Sequence, residues 1–114
     1  MSTLKLSSID GMEESSISHN SKIKKHVLVS NGEINSITNF SKAVFPPGEV
    51  AHAHSHHDMT EVFFIESGSG VISVDDKSIA LSAGMCITVE PNERHELKNI
   101  GTSDMVVIYF GVNT

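Results

Sequence analysis

Four of the seven histidines lie within six residues, in the segment AHAHSHHDMTE. The cluster comprises His52, His54, His56 and His57, followed by Asp58 and Glu61. Alternate residues of an extended strand face the same way, roughly 6.5–7 Å apart, so the first three histidines are expected to share one face. Glu61 opens a second strand-like segment, EVFFI, that can bring its carboxylate to the same point. Imidazole and carboxylate groups together predict a site for a divalent transition metal.

Spacing alone leaves alternatives open. Histidine tracts also occur on solvated loops that bind nothing. Two His-x-His pairs are present, one formed by His52 and His54 and the other by His54 and His56. A further histidine, His95, begins a strand-like segment within GMCITVEPNERHELKN, residues 84–99. A third strand can therefore supply another ligand.

The two segments resemble the two motifs of the cupin superfamily over roughly residues 40–112. The first motif is matched without a gap by Gly48, His54, His56, Glu61 and Gly68. The second motif is matched in register by Gly84, His95 and Asn99. It departs at Glu90, where the family has proline, and at Asn92, where it has glycine. Asparagine tolerates the left-handed backbone conformation, so we expect the turn at Asn92 to form, whereas Glu90 adds a charge near the mouth of the site.

The resemblance implies a ligand set and a fold. Its ligands are His54, His56, Glu61 and His95, because only the second His-x-His pair has the family's spacing to the glutamate. His52 becomes a neighbour on the same face, in a supporting or packing role, and His57 a loop or opposite-face residue. The implied fold is all-β, a double-stranded β-helix or jelly-roll barrel with the ligands inside and one open end.

Composition describes an ordinary globular chain of 114 residues with one modest core. The net charge of −6 and the eight basic residues argue against a nucleic-acid or anionic-membrane partner. No apolar run is long enough to span a membrane. A single cysteine, Cys86, and an N-terminus without a signal-peptide pattern predict a cytoplasmic protein. Cys86 lies in the apolar run MCITV and is predicted to be buried.

Residues 1–21 lack a sustained period and are predicted to form a loosely ordered arm or a short edge segment, with His19 solvated. Residues 22–114 are predicted to form one cupin domain. Short strands separated by turn residues about every ten positions favour an antiparallel sandwich or barrel. His26 falls in the first of these strands and is assigned a structural role. The segments VFFI, residues 62–65, and MVVIYFGV, residues 105–112, are apolar on both faces. A second copy of the chain would cover the outer face, so we predict a homodimer.

Three neutral imidazoles and one carboxylate suit iron, manganese, nickel, cobalt, copper or zinc rather than calcium or magnesium. An octahedral ion would keep two positions for a chelating substrate, water or dioxygen. The resemblance implies a metal-dependent enzyme, with a dioxygenase favoured over a lyase, isomerase or cyclase. A non-catalytic binding or sensor protein is the alternative, and a purely structural ion is a third hypothesis.

Three side chains near the ligands are candidates for proton transfer: Tyr109, Asp58 and Glu93. Simple packing of Tyr109 and solvated loop charges are the alternatives. Counting along the strand from Glu61 places Phe63 and Ile65 inside, and with Ile87 and Leu97 they predict an apolar pocket wall. The predicted substrate is a small molecule with an apolar part and one chelating polar end.

Overall fold

The computed structural model describes residues 4–114, and all regular structure in that range is β-strand. Ten strands follow one another: β1 (Ser15–Ile17), β2 (Asn20–Val29), β3 (Ile37–Phe45), β4 (Val50–His54), β5 (Met59–Ser67), β6 (Ser69–Val74), β7 (Lys77–Ser82), β8 (Cys86–Val89), β9 (His95–Asn99) and β10 (Met105–Asn113). Within residues 4–114, no helix is long and apolar enough to cross a membrane.

The strands form two antiparallel sheets. The larger sheet has the order β1-β2-β3-β10-β5-β8, and the smaller has the order β4-β9-β6-β7. Non-consecutive neighbours, such as β10 between β3 and β5, mean that the chain crosses repeatedly from one sheet to the other. This connectivity confirms the all-β jelly-roll barrel predicted from the sequence.

The core fills the space between the inner faces of the two sheets. Strand alternation produces it directly: on β5, Glu61, Phe63 and Ile65 are buried, whereas Phe64 is 40% exposed. The buried apolar residues are Ile23, Ala43, Phe45, Phe63, Ile65, Ile72, Leu81, Val89, Leu97, Met105 and Val107. The predicted inward direction of Phe63, Ile65 and Leu97 is confirmed, and Ile87 packs against the same cluster.

The N-terminal segment takes part in the larger sheet. β1 pairs with β2, and Asn20, the first residue of β2, donates from its side-chain amide to the Glu49 carboxylate and to the Val50 carbonyl, both at 3.0 Å. These bonds tie β2 to the start of β4, in the other sheet. Strand structure therefore begins before residue 22. Residues 1–3 of the predicted arm lie outside the described residues, and the division into an arm and a domain stays a prediction.

The prediction that Cys86 is buried is wrong. Cys86 lies at the start of β8, an edge strand, and its thiol is exposed. It pairs with the exposed Phe64, whereas the next residue, Ile87, pairs with the buried Phe63. The apolar run MCITV thus has two faces, and Cys86 belongs to the outer one.

Candidate metal centre

Four side chains from three parts of the chain meet between the two sheets. They are His54 at the end of β4, His56 in the following loop, Glu61 on β5 and His95 at the start of β9. One ligand atom from each lies within 4.8 Å of all the others. Glu61 Oε1 lies 3.1 Å from His95 Nε2 and 3.3 Å from His56 Nε2. His95 is 3% exposed and Glu61 9%, so the centre is closed on the core side.

A register shift in β4 directs the histidines into the barrel. Ala51 pairs with Leu97 on β9, and the next pair is His54 with His95. Three residues of β4 are therefore matched by two of β9, which is the arrangement of a β-bulge. Ala51 and His54 both face inward, although regular alternation from Ala51 would turn His54 outward.

The bulge corrects the sequence prediction for His52. Regular alternation had placed His52 beside the ligands on one face of a straight strand; the residue is exposed, lies at the cavity wall and is outside the group of four. The backbone of His52, rather than its side chain, orients His54, because the His52 carbonyl accepts a hydrogen bond from His54 Nδ1 at 2.8 Å. The neighbouring Ala53 amide donates to the Glu96 carboxylate at 3.2 Å across the bulge. His57 is exposed in the loop, as predicted.

Two of the imidazoles are oriented in the same way. His54 Nδ1 donates to the His52 carbonyl, and His95 Nδ1 donates to the Glu93 carbonyl at 3.1 Å. Each ring is thus held by the carbonyl two residues earlier in the chain. A proton fixed on Nδ1 leaves Nε2 free to face the centre, which is the tautomer that metal binding through Nε2 requires.

The turn between β8 and β9 positions His56. Asn92 has φ of 72°, the left-handed conformation expected where the family has glycine. Its amide donates to the His56 carbonyl at 2.6 Å and so joins the turn to the loop after β4. Glu90, the other departure, is exposed, and its amide donates to the Glu93 carboxylate at 2.7 Å.

The surroundings of His54 and His95 shift the pKa values of these two histidines in opposite directions. Burial lowers the pKa of His54, and the charges of His95 and His56 act in the same direction. Burial also disfavours the charged form of His95, but its hydrogen bonds to Glu61 and to the Glu93 carbonyl outweigh that effect and raise the pKa of His95. Without a metal, the contact with Glu61 therefore favours the protonated form of His95.

The centre opens into a cavity of about 250 Å³, a size that suits a small organic molecule. Its wall includes the ligand residues and side chains from both sheets: Ile17, Ser18, His19, Lys25, Thr38, Asn39, Ala43, Phe45, Ala51, His52, Met59, Phe63, Leu97, Val107, Tyr109 and Gly111. Phe63 and Leu97 belong to the apolar part of this wall, as predicted, whereas Ile65 and Ile87, also predicted to line the pocket, do not. The polar groups away from the centre come mainly from β2, β3 and the β1–β2 turn.

The place of His19 in this wall was not predicted from the sequence. His19 was predicted to be solvated, and although it is exposed, its ring lies 6.0 Å from that of His54, measured between centroids. The β1–β2 turn carries it to the cavity. Its distance from the ligands along the chain gave no spacing signal, and only the pairing of β1 with β2 brings it there.

The three candidates for proton transfer lie in different places. Tyr109 lines the cavity and stacks on Phe63 with ring centroids 5.8 Å apart; burial raises the pKa of its phenol. Asp58 is an exposed loop residue and does not line the cavity. The Glu93 side chain closes the β8–β9 turn through the Glu90 amide, and its carbonyl orients His95. The catalytic roles of all three stay predictions.

The four side chains fit a divalent transition metal. Ligands about 2.1 Å from one ion lie at most about 4.2 Å from one another, so a contraction of a few tenths of an ångström closes the group on an ion. The donor set is three nitrogens and one carboxylate oxygen, and two of the imidazoles are already oriented with Nε2 inward. This chemistry suits the metals named from the sequence and leaves their identity open.

An antiparallel jelly-roll barrel with three histidines and one glutamate around a common point defines a β-barrel with a candidate metal centre. The model of the Cupin domain family matches residues 41–111, which include all four of these residues. The chain belongs to the cupin family.

Known proteins resemble the chain in sequence and in structure. An oxalate-binding protein from Thermotoga maritima is 28% identical over 80 residues, which are 70% of this chain and 66% of that protein. The chain thus spans just under two thirds of that relative. A predicted oxalate decarboxylase from Thermotoga maritima superposes with a TM-score of 0.87 at 22% identity, covering 97% of this chain and 100% of the other. A cupin from Shewanella frigidimarina superposes with a TM-score of 0.81 at 20% identity, covering 98% of this chain and 93% of the other. These two structures show the shared fold.

Proposed function

We propose that this cupin binds one divalent transition metal ion through His54, His56, Glu61 and His95 and acts on a small organic substrate chelated there. The observation that carries the proposal is the convergence of three Nε2 atoms and a buried carboxylate oxygen, within 4.8 Å, at the end of a cavity. A bound ion would supply Lewis-acid or redox chemistry to a chelated substrate.

The protein's own residues would bind, orient and shield that substrate. Phe63 and Leu97 form an apolar wall that excludes water beside the ligands. Tyr109 is favoured over Asp58 and Glu93 as the group that holds or gives a proton, because its side chain lines the cavity. Burial raises the pKa of the phenol, so it is protonated at neutral pH.

Metal binding is the first test. The metal-free protein is titrated with each candidate ion by calorimetry, and the protein as purified is analysed for bound metal. One ion per chain is expected, and His56→Ala is expected to weaken binding strongly. His57→Ala is the matched control, because it removes the adjacent histidine, which is exposed and outside the group. Equal losses in the two variants would contradict the proposal.

The reaction class is the second test. We propose an oxygen-dependent cleavage ahead of a lyase, isomerase or cyclase reaction. Oxygen consumption is measured with diketone, thiol and carboxylate substrates, using protein loaded with iron, manganese, nickel, cobalt or copper. Consumption that requires both substrate and metal supports a dioxygenase. Product formed without oxygen consumption overturns that assignment and supports the non-oxidative classes.

A second candidate function is binding of a small ligand without its conversion. It is favoured by the similarity to a protein named for oxalate binding, and carboxylates chelate metal ions well. Oxalate is therefore included as a ligand. Metal-dependent binding with unchanged ligand after prolonged incubation, under every metal, would support this function over an enzymatic one.

We also propose that the protein is a cytoplasmic homodimer. The outer face of the larger sheet carries Phe64, which pairs with Ile108, and Val62, which pairs with Phe110. This apolar outer stripe is the surface that a second copy would cover. Light scattering is expected to give twice the chain mass for the wild type and the mass of one chain for Phe64→Glu. Ile100→Glu, which changes an exposed residue in the β9–β10 loop, is the control and is expected to stay a dimer. A monomeric wild type would overturn the dimer.

A further inference from the structure

One charged side chain in the cavity wall has no part in the metal centre. Lys25 lies on β2 and pairs with Ala43 on β3, which in turn pairs with Val107 on β10. Ala43 and Val107 are buried on the inner face, so Lys25 belongs to the same inner row. Ile23, two residues earlier, is fully buried, in agreement with this direction. The neighbouring Lys24 is exposed on the opposite face.

Lys25 has no partner among the described residues. Across residues 4–114, the ion pairs are Lys42 with Glu66 and the contacts of Glu61 with His56 and His95. Lys25 takes part in none of them, and it makes no side-chain hydrogen bond in that range. The Lys25 residue is half-buried and lines the cavity without a counter-ion among the described residues, so an anionic ligand in the cavity would give its ammonium group a partner.

The charge of the cavity favours an anion. Glu61 is the one carboxylate among the lining residues, and Lys25 is the one lysine or arginine. A divalent ion, one carboxylate and one ammonium group sum to a net charge of about plus two, with the histidines neutral. The chain as a whole carries −6. With such an ion bound, the cavity would be a positive site on an acidic protein.

The two positive sites are separated along the barrel. On β10, Val107 marks the row of Lys25, and Gly111 pairs with Glu61. These two rows are four residues apart, which is roughly 13 Å at 3.3 Å per residue. Side chains that lean toward each other shorten this gap. The wall between the rows includes Phe63 and Tyr109, so the intervening part of a ligand meets mainly apolar surface.

We propose that Lys25 determines specificity by holding the second anionic group of a small dianionic substrate whose first group is chelated at the metal centre. This inference rests on the proposed function and adds the substrate class to it. The ligand it defines has an acidic group at each end and a short apolar middle, as in an aliphatic dicarboxylate. An ammonium-to-carboxylate contact in a cavity of this depth is expected to strengthen binding about tenfold.

The test measures binding, so it does not depend on turnover. Metal-loaded protein is titrated by calorimetry with oxalate, succinate, glutarate and adipate, and with monocarboxylates of matched length. The wild type is expected to prefer at least one dicarboxylate about tenfold over its matched monocarboxylate. Lys25→Met is expected to lose that preference, and Lys25→Arg to keep most of it. Circular dichroism and metal titration show that each variant is folded and loaded.

Lys24→Met is the matched control, since it removes the same charge from the same strand but on the exposed face. It is expected to behave as the wild type does. A preference that survives in Lys25→Met, or is absent from the wild type, overturns the role of Lys25 while leaving the metal site standing. A wild type that binds no metal overturns the proposed function instead, and this inference with it.

Discussion

The bulge in β4 is expected to depend on Glu96. The Ala53 amide donates to the Glu96 carboxylate at 3.2 Å, within the three residues that β4 places against two of β9. Replacing Glu96 with alanine leaves that amide to water and removes the contact that favours the bulged register. His54 directly follows Ala53, so its direction into the cavity depends on the same local geometry.

The bond is partly buried and involves a carboxylate, so its net contribution to the free energy of unfolding is about 1 kcal/mol. The larger effect falls on metal binding. Groups that orient a metal ligand without touching the ion typically change the affinity about 10–100-fold when removed. Glu96→Ala is therefore expected to weaken metal binding by that factor while the protein stays folded.

Calorimetric titration with zinc measures the affinity, and urea unfolding measures the stability of the same samples. Glu96→Gln is the matched control, because its amide oxygen can still accept from the Ala53 amide, and it is expected to restore most of the affinity. If Glu96→Ala binds zinc as tightly as the wild type does, the bulge does not depend on this contact and the reasoning is refuted.

Three further predictions follow from the structure. In metal-free protein, the contact with Glu61 raises the pKa of His95, although burial acts in the opposite direction. The stability that comes from a raised histidine pKa is complete below about pH 6.5 and is lost as the pH rises through the folded-state pKa. The difference in unfolding free energy between the wild type and Glu61→Gln should therefore shrink as the pH rises in urea titrations, and a difference that grows would contradict the pairing. Gly68→Ala should lower the free energy of unfolding in urea by about 2–4 kcal/mol, because φ is +85° and a Cβ would lie 2.5 Å from a backbone oxygen. Gly84→Ala has a similar φ of +91° but open space around the Cβ, so it should cost about 1 kcal/mol. Equal costs would show that the close approach at Gly68 does not matter. In calorimetry, His19→Ala should weaken binding of the small molecule about threefold to tenfold and leave the metal affinity unchanged. A loss of metal affinity with unchanged binding of the small molecule would instead make His19 a residue that binds the metal.

The motif resemblance predicted the group of four, whereas spacing alone predicted a histidine and carboxylate cluster whose geometry is mostly local. His54, His56 and Glu61 lie within eight residues, and one strand and one turn bring them together. His95 came from the motif resemblance, which carries the three-dimensional pairing of β4 with β9 that spacing alone does not contain. The conformation of Asn92 followed from its side chain, since asparagine accepts a positive φ.

The errors arose where pairing between strands overrides alternation within one strand. His52 was placed on the ligand face because a bulge leaves no mark in a period-two pattern. Cys86 was assigned to the core because every residue of its run is apolar, although its pairing with Phe64 puts it outside. His19 was overlooked because only β1–β2 pairing brings it to the cavity. For His52 and Cys86 the deciding contact is distant in sequence.

The central claim is that four side chains hold one metal ion between the two sheets. Crystals of the metal-loaded protein, measured at wavelengths on both sides of the absorption edge of the bound metal, test it most directly. The expected result is one anomalous peak per chain, about 2.0–2.2 Å from Nε2 of His54, His56 and His95 and from a carboxylate oxygen of Glu61. A peak elsewhere, or none at this group in protein shown to contain the metal, would contradict the claim.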